Sequence, residues 1–138
     1  MKYETNSPQQ TADIAARFAS TLHGGEVVYL EGDLGAGKTT FVRAVAAALG
    51  ATDAVRSPTF TLVQIYKTTH PVIKQIIHAD LYRIDKPVDA RELGLQEYAG
   101  RTDTILLIEW PKNILPIAHQ EIRFEHTGEQ TRTITIPS

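Results

Sequence analysis

The sequence contains no cysteine, which excludes disulfides, thiolate metal sites and a thiol nucleophile, and agrees with a reducing cytoplasm. It has no excess of basic charge either. Fourteen Lys and Arg stand against sixteen Asp and Glu, for a net charge of -2. A footprint able to hold nucleic acid alone is therefore not expected, and any polynucleotide role runs through a partner. No uncharged apolar run approaches the roughly 18 residues of a membrane helix, and acids stand among polar residues in the first twenty positions, so neither membrane spanning nor secretion is expected. Repeats, low-complexity tracts and linkers are missing as well. What is there is 138 residues of which 42% are apolar, enough for one core, and a single domain over residues 1–138 is expected.

The chain reads as a short strand near Lys2 to Thr5, then a helix that opens on a capping box of Ser7 and Gln10 with Pro8 at its first position. Ile14, Phe18 and Leu22 recur every fourth residue and share one face, and Gly24 and Gly25 are expected to stop this helix. Val27 to Leu30 is a short apolar run suited to a buried strand. The spacing of Phe41, Val42, Val45 and Leu49 predicts a second helix from Lys38 to Leu49, with Gly50 behind it. Thr59 to Tyr66 and Lys74 to Leu81 suggest a hairpin. Pro87 to Ala99 is helical in pattern but broken at Gly94. Thr104 to Ile108 is a buried-strand run closing on Glu109, and Gln120 to His126 with Gln130 to Ile136 form a terminal hairpin. Helices and strands interleave early and strands dominate late, which points to an α/β sandwich with a mixed sheet.

Between the first buried strand and the second helix lies GDLGAGKT, residues 32–39. It satisfies the GxxxxGK[ST] phosphate-loop pattern in the strand-to-helix context that pattern requires. Gly32, Gly35 and Gly37 let the backbone turn and approach a ligand closely. The loop through Asp33, Leu34 and Ala36 aims its N–H groups at phosphate oxygens, and the helix beginning at Lys38 adds its positive dipole end. Lys38 supplies a point charge to the β and γ phosphates, Thr39 a hydroxyl for Mg²⁺, and Thr40 a hydrogen bond to the α phosphate. These residues make ATP and Mg²⁺ the expected ligands.

Such a loop also needs an acid to hold the metal or orient water, and these acids end neighbouring buried strands. Glu109, after Ile105 to Ile108, ranks first. Asp80, after the weaker run Gln75 to Ala79, ranks second, touching the metal directly or through water. His78 and Asp80 form an HxD pair, but without a second ligand cluster an ordinary strand histidine is the better reading. Trp110 and Pro111 are expected to end the strand and cover it. Arg43, Arg56 and Arg83 are read as solvated charges.

GDLGAGKTTFVR at 32–43, SPTFTLVQIY at 57–66, HADLYRI at 78–84, ELGLQEY at 92–98 and IEWP at 108–111 together resemble the TsaE (YjeE) family, the small bacterial ATPases of the tRNA threonylcarbamoyladenosine (t6A) pathway. The matching stretches cover nearly the whole chain in family order. The resemblance implies a P-loop NTPase-like three-layer sandwich with a mixed, mainly parallel central sheet and a C-terminal antiparallel hairpin. It implies that Glu109 is the Walker B acid, holding Mg²⁺ with Thr39, and that Ser57 to Leu62 form a switch near the γ phosphate. It also makes Thr11 and Arg132 candidates for contact with the base or ribose. The implied partners are TsaD, the threonylcarbamoyl transferase, and TsaB, its scaffold, with ATP hydrolysis resetting their complex and tRNA reached only through it. Lys112 departs from the pattern, since many relatives carry an acid there. A small-molecule kinase, or an interaction module that hardly hydrolyses its nucleotide, would use the same loop. The kinase is disfavoured by the short sequence left for an acceptor pocket and lid.

Overall fold

A computed structural model of the chain describes residues 1–33, 37–56, 63–81, 94–111 and 119–137, without the side chains of residues 53–56. Eight strands form one sheet: β1 (Lys2–Thr5), β2 (Val27–Gly32), β3 (Ala51–Arg56), β4 (Val63–Thr68), β5 (Gln75–Asp80), β6 (Thr104–Glu109), β7 (Gln120–His126) and β8 (Arg132–Thr135). Their spatial order is β1-β8-β7-β2-β6-β5-β4-β3. The central pairs β7·β2, β2·β6 and β6·β5 are parallel. The flanking pairs β1·β8, β8·β7, β5·β4 and β4·β3 are antiparallel. The sheet is mixed, as expected, with a parallel centre and a C-terminal antiparallel hairpin.

Side-chain alternation sorts the central strands into two apolar faces. Val28 and Leu30, Ile105 and Leu107, and Ile76 point to the face covered by α1 (Pro8–Ala19) and α2 (Lys38–Ala48). Val27 and Tyr29, Leu106 and Ile108, and Ile77 point to the other face, where α3 (Leu95–Tyr98) packs through Leu95 and Tyr98. Burial on both sides is why β6 reads as an unbroken apolar run rather than an alternating one. Between α1, α2 and the sheet, Phe41 lies 5.8 Å from Phe18 and meets Phe124 edge-on at 5.3 Å.

The structure corrects several expectations locally. Helix α1 ends at Ala19 and not at the glycines, because the Ser20 and Thr21 hydroxyls donate to the carbonyls of Arg17 and Phe18 and close the last turn. Leu22 therefore lies beyond the helix, although it still joins Ile14 and Phe18 in the core. The Ser7 hydroxyl accepts from Gln10 N at 3.2 Å, as the capping box requires, but Gln10 Oε1 reaches one residue further back, to Asn6 N at 2.6 Å. Strand β3, an edge strand with one neighbour, has no counterpart among the expected elements. The β4·β5 and β7·β8 hairpins form as expected. Of the broken helical stretch, residues 87–93 lie outside the described residues.

Candidate functional site

Alternation along β5 and β6 builds the site. Ile76, His78 and Asp80 share the helix-covered face of β5, and Ile105, Leu107 and Glu109 share it on β6, with Asp80 paired in register with Glu109. On that face β6 carries Ile105 and Leu107, β5 carries Ile76 and His78, and each strand ends on an acid at its carboxyl end. Strand β2 ends beside them at Gly32, and α2 begins at Lys38, so the first turn of α2 faces both carboxylates.

An open cleft of about 240 Å³ lies at this junction, lined by Pro8, Thr11, Gly37, Lys38, Thr39, Thr40, Asp80, Glu109, Trp110 and Arg132. Two glycines answer to geometry here. Gly32 has φ 152, and a Cβ on it would meet the Phe124 carbonyl oxygen at 2.3 Å, so the close approach of β7 demands its bare backbone. Gly37, at φ 99, is the left-handed N-cap of α2, and a Cβ there would lie 3.5 Å from Arg132 Cδ. The backbone enters α2 with no side-chain cap, and its first N–H groups have no capping partner from Gly37.

Lys38 is only 4% exposed. Its Nζ donates to the Gly32 carbonyl at 2.5 Å and sits 3.4 Å from the centroid of the Trp110 ring. Burial lowers its pKa from the ordinary lysine value, against the upward pull of Glu109, Asp80 and Asp33. Trp110 reaches this position from a left-handed backbone, φ 54, the one non-glycine with positive φ among the described residues. Strain of this kind, on the order of 1–3 kcal/mol, collects at ligand sites. Thr39 Oγ1 lies 3.3 and 3.2 Å from the two carboxylate oxygens of Glu109. His78 Nε2 lies 2.6 Å from Glu109 Oε2, with both residues buried.

The structure brings Lys38, Thr39, Thr40, Gly37, Asp80, Glu109, Thr11 and Arg132 to one cleft. Gly32 touches it through its carbonyl, whereas Asp33 is exposed and lies with Gly32 in a groove on the β7 side. The Thr11 hydroxyl is buried and donates to Thr5 Oγ1 at 3.1 Å, so toward a ligand it can act only as an acceptor. Arg132 opens β8, opposite Thr5 of β1. Leu34, Gly35, Ala36, the expected switch at 57–62, Arg83 and Lys112 lie outside the described residues. Two residues take a larger part in the site than the sequence predicts. His78 touches the acid of the site and not merely the strand core, and Trp110 stacks on Lys38 in addition to closing the strand. The HxD spacing was the available signal for His78, since two residues apart on a strand means one face.

A family model described as "Threonylcarbamoyl adenosine biosynthesis protein TsaE" matches residues 5–134. The tRNA threonylcarbamoyladenosine biosynthesis protein TsaE of Bacillus subtilis is 38% identical over 98% of this chain and 84% of its own length. Its namesake in Rickettsia bellii is 38% identical over 95% of this chain and 90% of its own length. The crystal structure of Bacillus subtilis YdiB superposes with a TM-score of 0.73 at 33% identity, covering 99% of this chain and 83% of that one. Since the family model spans residues 5–134 and both relatives match nearly all of this chain, the chain belongs to the TsaE family.

Proposed function

We propose that this protein binds ATP with Mg²⁺, hydrolyses it, and thereby resets a TsaB–TsaD complex that modifies adenosine 37 of tRNA to t6A, acting in the cytoplasm and meeting tRNA only through that complex. It is not itself the transferase. One observation carries the nucleotide reading: a buried lysine, a hydroxyl and two strand-end carboxylates converge at the amino end of a helix whose N-cap is Gly37. The printed names of the relatives support the place in t6A biosynthesis.

The donor set suits the cation. Thr39 Oγ1 and the Glu109 and Asp80 carboxylates are hard oxygen ligands, few enough to leave room for the several waters that Mg²⁺ retains. When bound, Mg²⁺ would neutralise charge on the β and γ phosphates. Lys38 supplies the remaining positive charge, and its loss of hydration on burial strengthens that charge for an anion. The uncapped first N–H groups of α2 would be available to the same phosphates. Glu109 holds the metal with Thr39, and Asp80 acts beside it. Thr11, Gly37 and Arg132 form the wall on which the base or ribose rests.

ATP titration and phosphate release test this reading. Lys38→Ala should remain folded and lose ATP binding. Glu109→Gln should bind ATP yet lose turnover about 100-fold or more, the scale of deleting one preorganised electrostatic group. A folded Lys38→Ala with unchanged ATP affinity would overturn the phosphate-loop assignment. Survival of turnover in Glu109→Gln, together with its abolition in Asp80→Asn, would exchange the roles of the two acids.

A further inference from the structure

His78 has no part in the roles above, yet its geometry is specific. Its Nε2 lies 2.6 Å from Glu109 Oε2, with His78 7% exposed and Glu109 2% exposed. An ionised carboxylate only accepts, so Nε2 carries the hydrogen, and hydrogen bonds to a charged acceptor at this length are among the stronger kinds. The ring's other nitrogen, Nδ1, is buried and has no hydrogen-bond partner among the described residues. Among the described residues, the ring's one hydrogen-bond partner is the acid of the site.

Register explains the approach. His78 pairs with Leu107, one step along the same face behind the Asp80·Glu109 pair. It therefore reaches Glu109 from the core side, while Thr39 Oγ1 meets both carboxylate oxygens from the helix side. Held by His78 on one side and Thr39 on the other, the carboxylate has little freedom to rotate. Carboxylates that ligate metals are commonly oriented by such a bond from behind, and losing it typically weakens metal binding or activity about 10–100-fold.

We propose that His78 is a positioning residue for Glu109: its Nε2–H fixes Oε2 from the core side, so that the carboxylate is presented to a divalent cation in the cleft without searching for its orientation. This rests on the reading of Glu109 as the metal-holding acid. The HxD pair is thereby divided, with Asp80 lining the cleft and His78 aligning the acid of the neighbouring strand.

The test uses the whole protein with ADP and Mn²⁺, Mn²⁺ binding being read by electron paramagnetic resonance, alongside steady-state ATP hydrolysis. His78→Leu, which keeps bulk and removes the donor, should weaken Mn²⁺ binding and lower kcat by about 10–100-fold, with KM for ATP changed much less. His78→Gln, whose amide reaches the Nε2 position, should recover most of both, and His78→Asn, which is too short, should not. In a Glu109→Gln background, His78→Leu should have little further effect. If His78→Leu does not fold, the contrast between Gln and Asn carries the test. Wild-type Mn²⁺ affinity and kcat in folded His78→Leu, equal behaviour of the Gln and Asn variants, or an undiminished loss in the Glu109→Gln background would overturn the positioning role alone. A wild-type protein that neither binds Mn²⁺ with ADP nor hydrolyses ATP would overturn the nucleotide reading, and this inference with it.

Discussion

Tyr29 shows how one side chain's surroundings become a property of the folded state. It points away from α1 and α2, is 7% exposed, and stacks on His119 with ring centroids 3.7 Å apart. Burial, and secondarily the Glu121 carboxylate, raise its pKa above the ordinary tyrosine value of 10.0. The folded protein thus keeps the phenol proton at pH values where the unfolded chain has released it. The sign follows: the contribution is fully present below about pH 10 and is lost as pH rises through the folded value. Urea midpoints measured between about pH 8 and about pH 11 should fall less steeply for Tyr29→Phe than for the wild type. Equal slopes would mean that the phenol is not responsible. Trp110 is the complementary case, where a strained backbone is tolerated because the ring it delivers lies against Lys38. Neither environment is written in the residues next door. Tyr29 meets His119 and Lys38 meets Trp110 across wide sequence separations, so pairwise contacts of this kind were not legible before the strands were ordered.

At the scale of elements, local chemistry was legible and non-local support was not. Ser7, Pro8 and Gln10 announce α1 because capping is settled within four residues, and the structure seats the Ser7 hydroxyl on Gln10 N. Ser7→Ala should lower the stability of the protein by about 1 kcal/mol, and Ser7→Asp should retain it. Denaturant midpoints measure this, and an unchanged midpoint in Ser7→Ala would assign the start of α1 to its packing against α2. Thr104 to Ile108 was equally legible, since a strand covered on both faces needs no polar alternation. Strand β3 was not. Ala51, Thr52, Asp53 and Ala54 carry neither β-branched density nor alternation, and the element exists through its pairing with β4. The end of α1 was misplaced for a related reason. Glycine is the stronger stop signal in sequence, but the Ser20 and Thr21 hydroxyls bond the carbonyls of the last turn first.

For the molecule as a whole, the phosphate-loop pattern and the acid ending an apolar run located the two halves of the site, while the strand order that joins them depended on long-range pairing. The same order gives the proposed function its physical demand. A nucleotide changes the affinity of a partner only if that partner distinguishes the nucleotide states. Isolated protein should hydrolyse ATP weakly, the TsaB–TsaD complex should stimulate it, and affinity for that complex should differ about fivefold or more between ATP and ADP, a usual size for coupling between sites. Calorimetric titration of the complex in ATP, in ADP and without nucleotide checks this, and three equal affinities would remove the coupling.

Strand order also sets a timetable for a chain leaving the ribosome. β2, which leads into the phosphate loop, is made early, but its neighbours in the sheet are β6 and β7, and the partner of β1 is β8. Until those later strands emerge, Val27, Val28, Tyr29 and Leu30 have no sheet to join, and pairings so distant in sequence form slowly. The loop is synthesised long before Glu109 and Arg132, so a growing chain carries the phosphate motif without the acid or the far wall of the cleft. On the proposed function, nucleotide capture is a property that the chain would acquire late, and ATP would stabilise finished molecules rather than nascent ones.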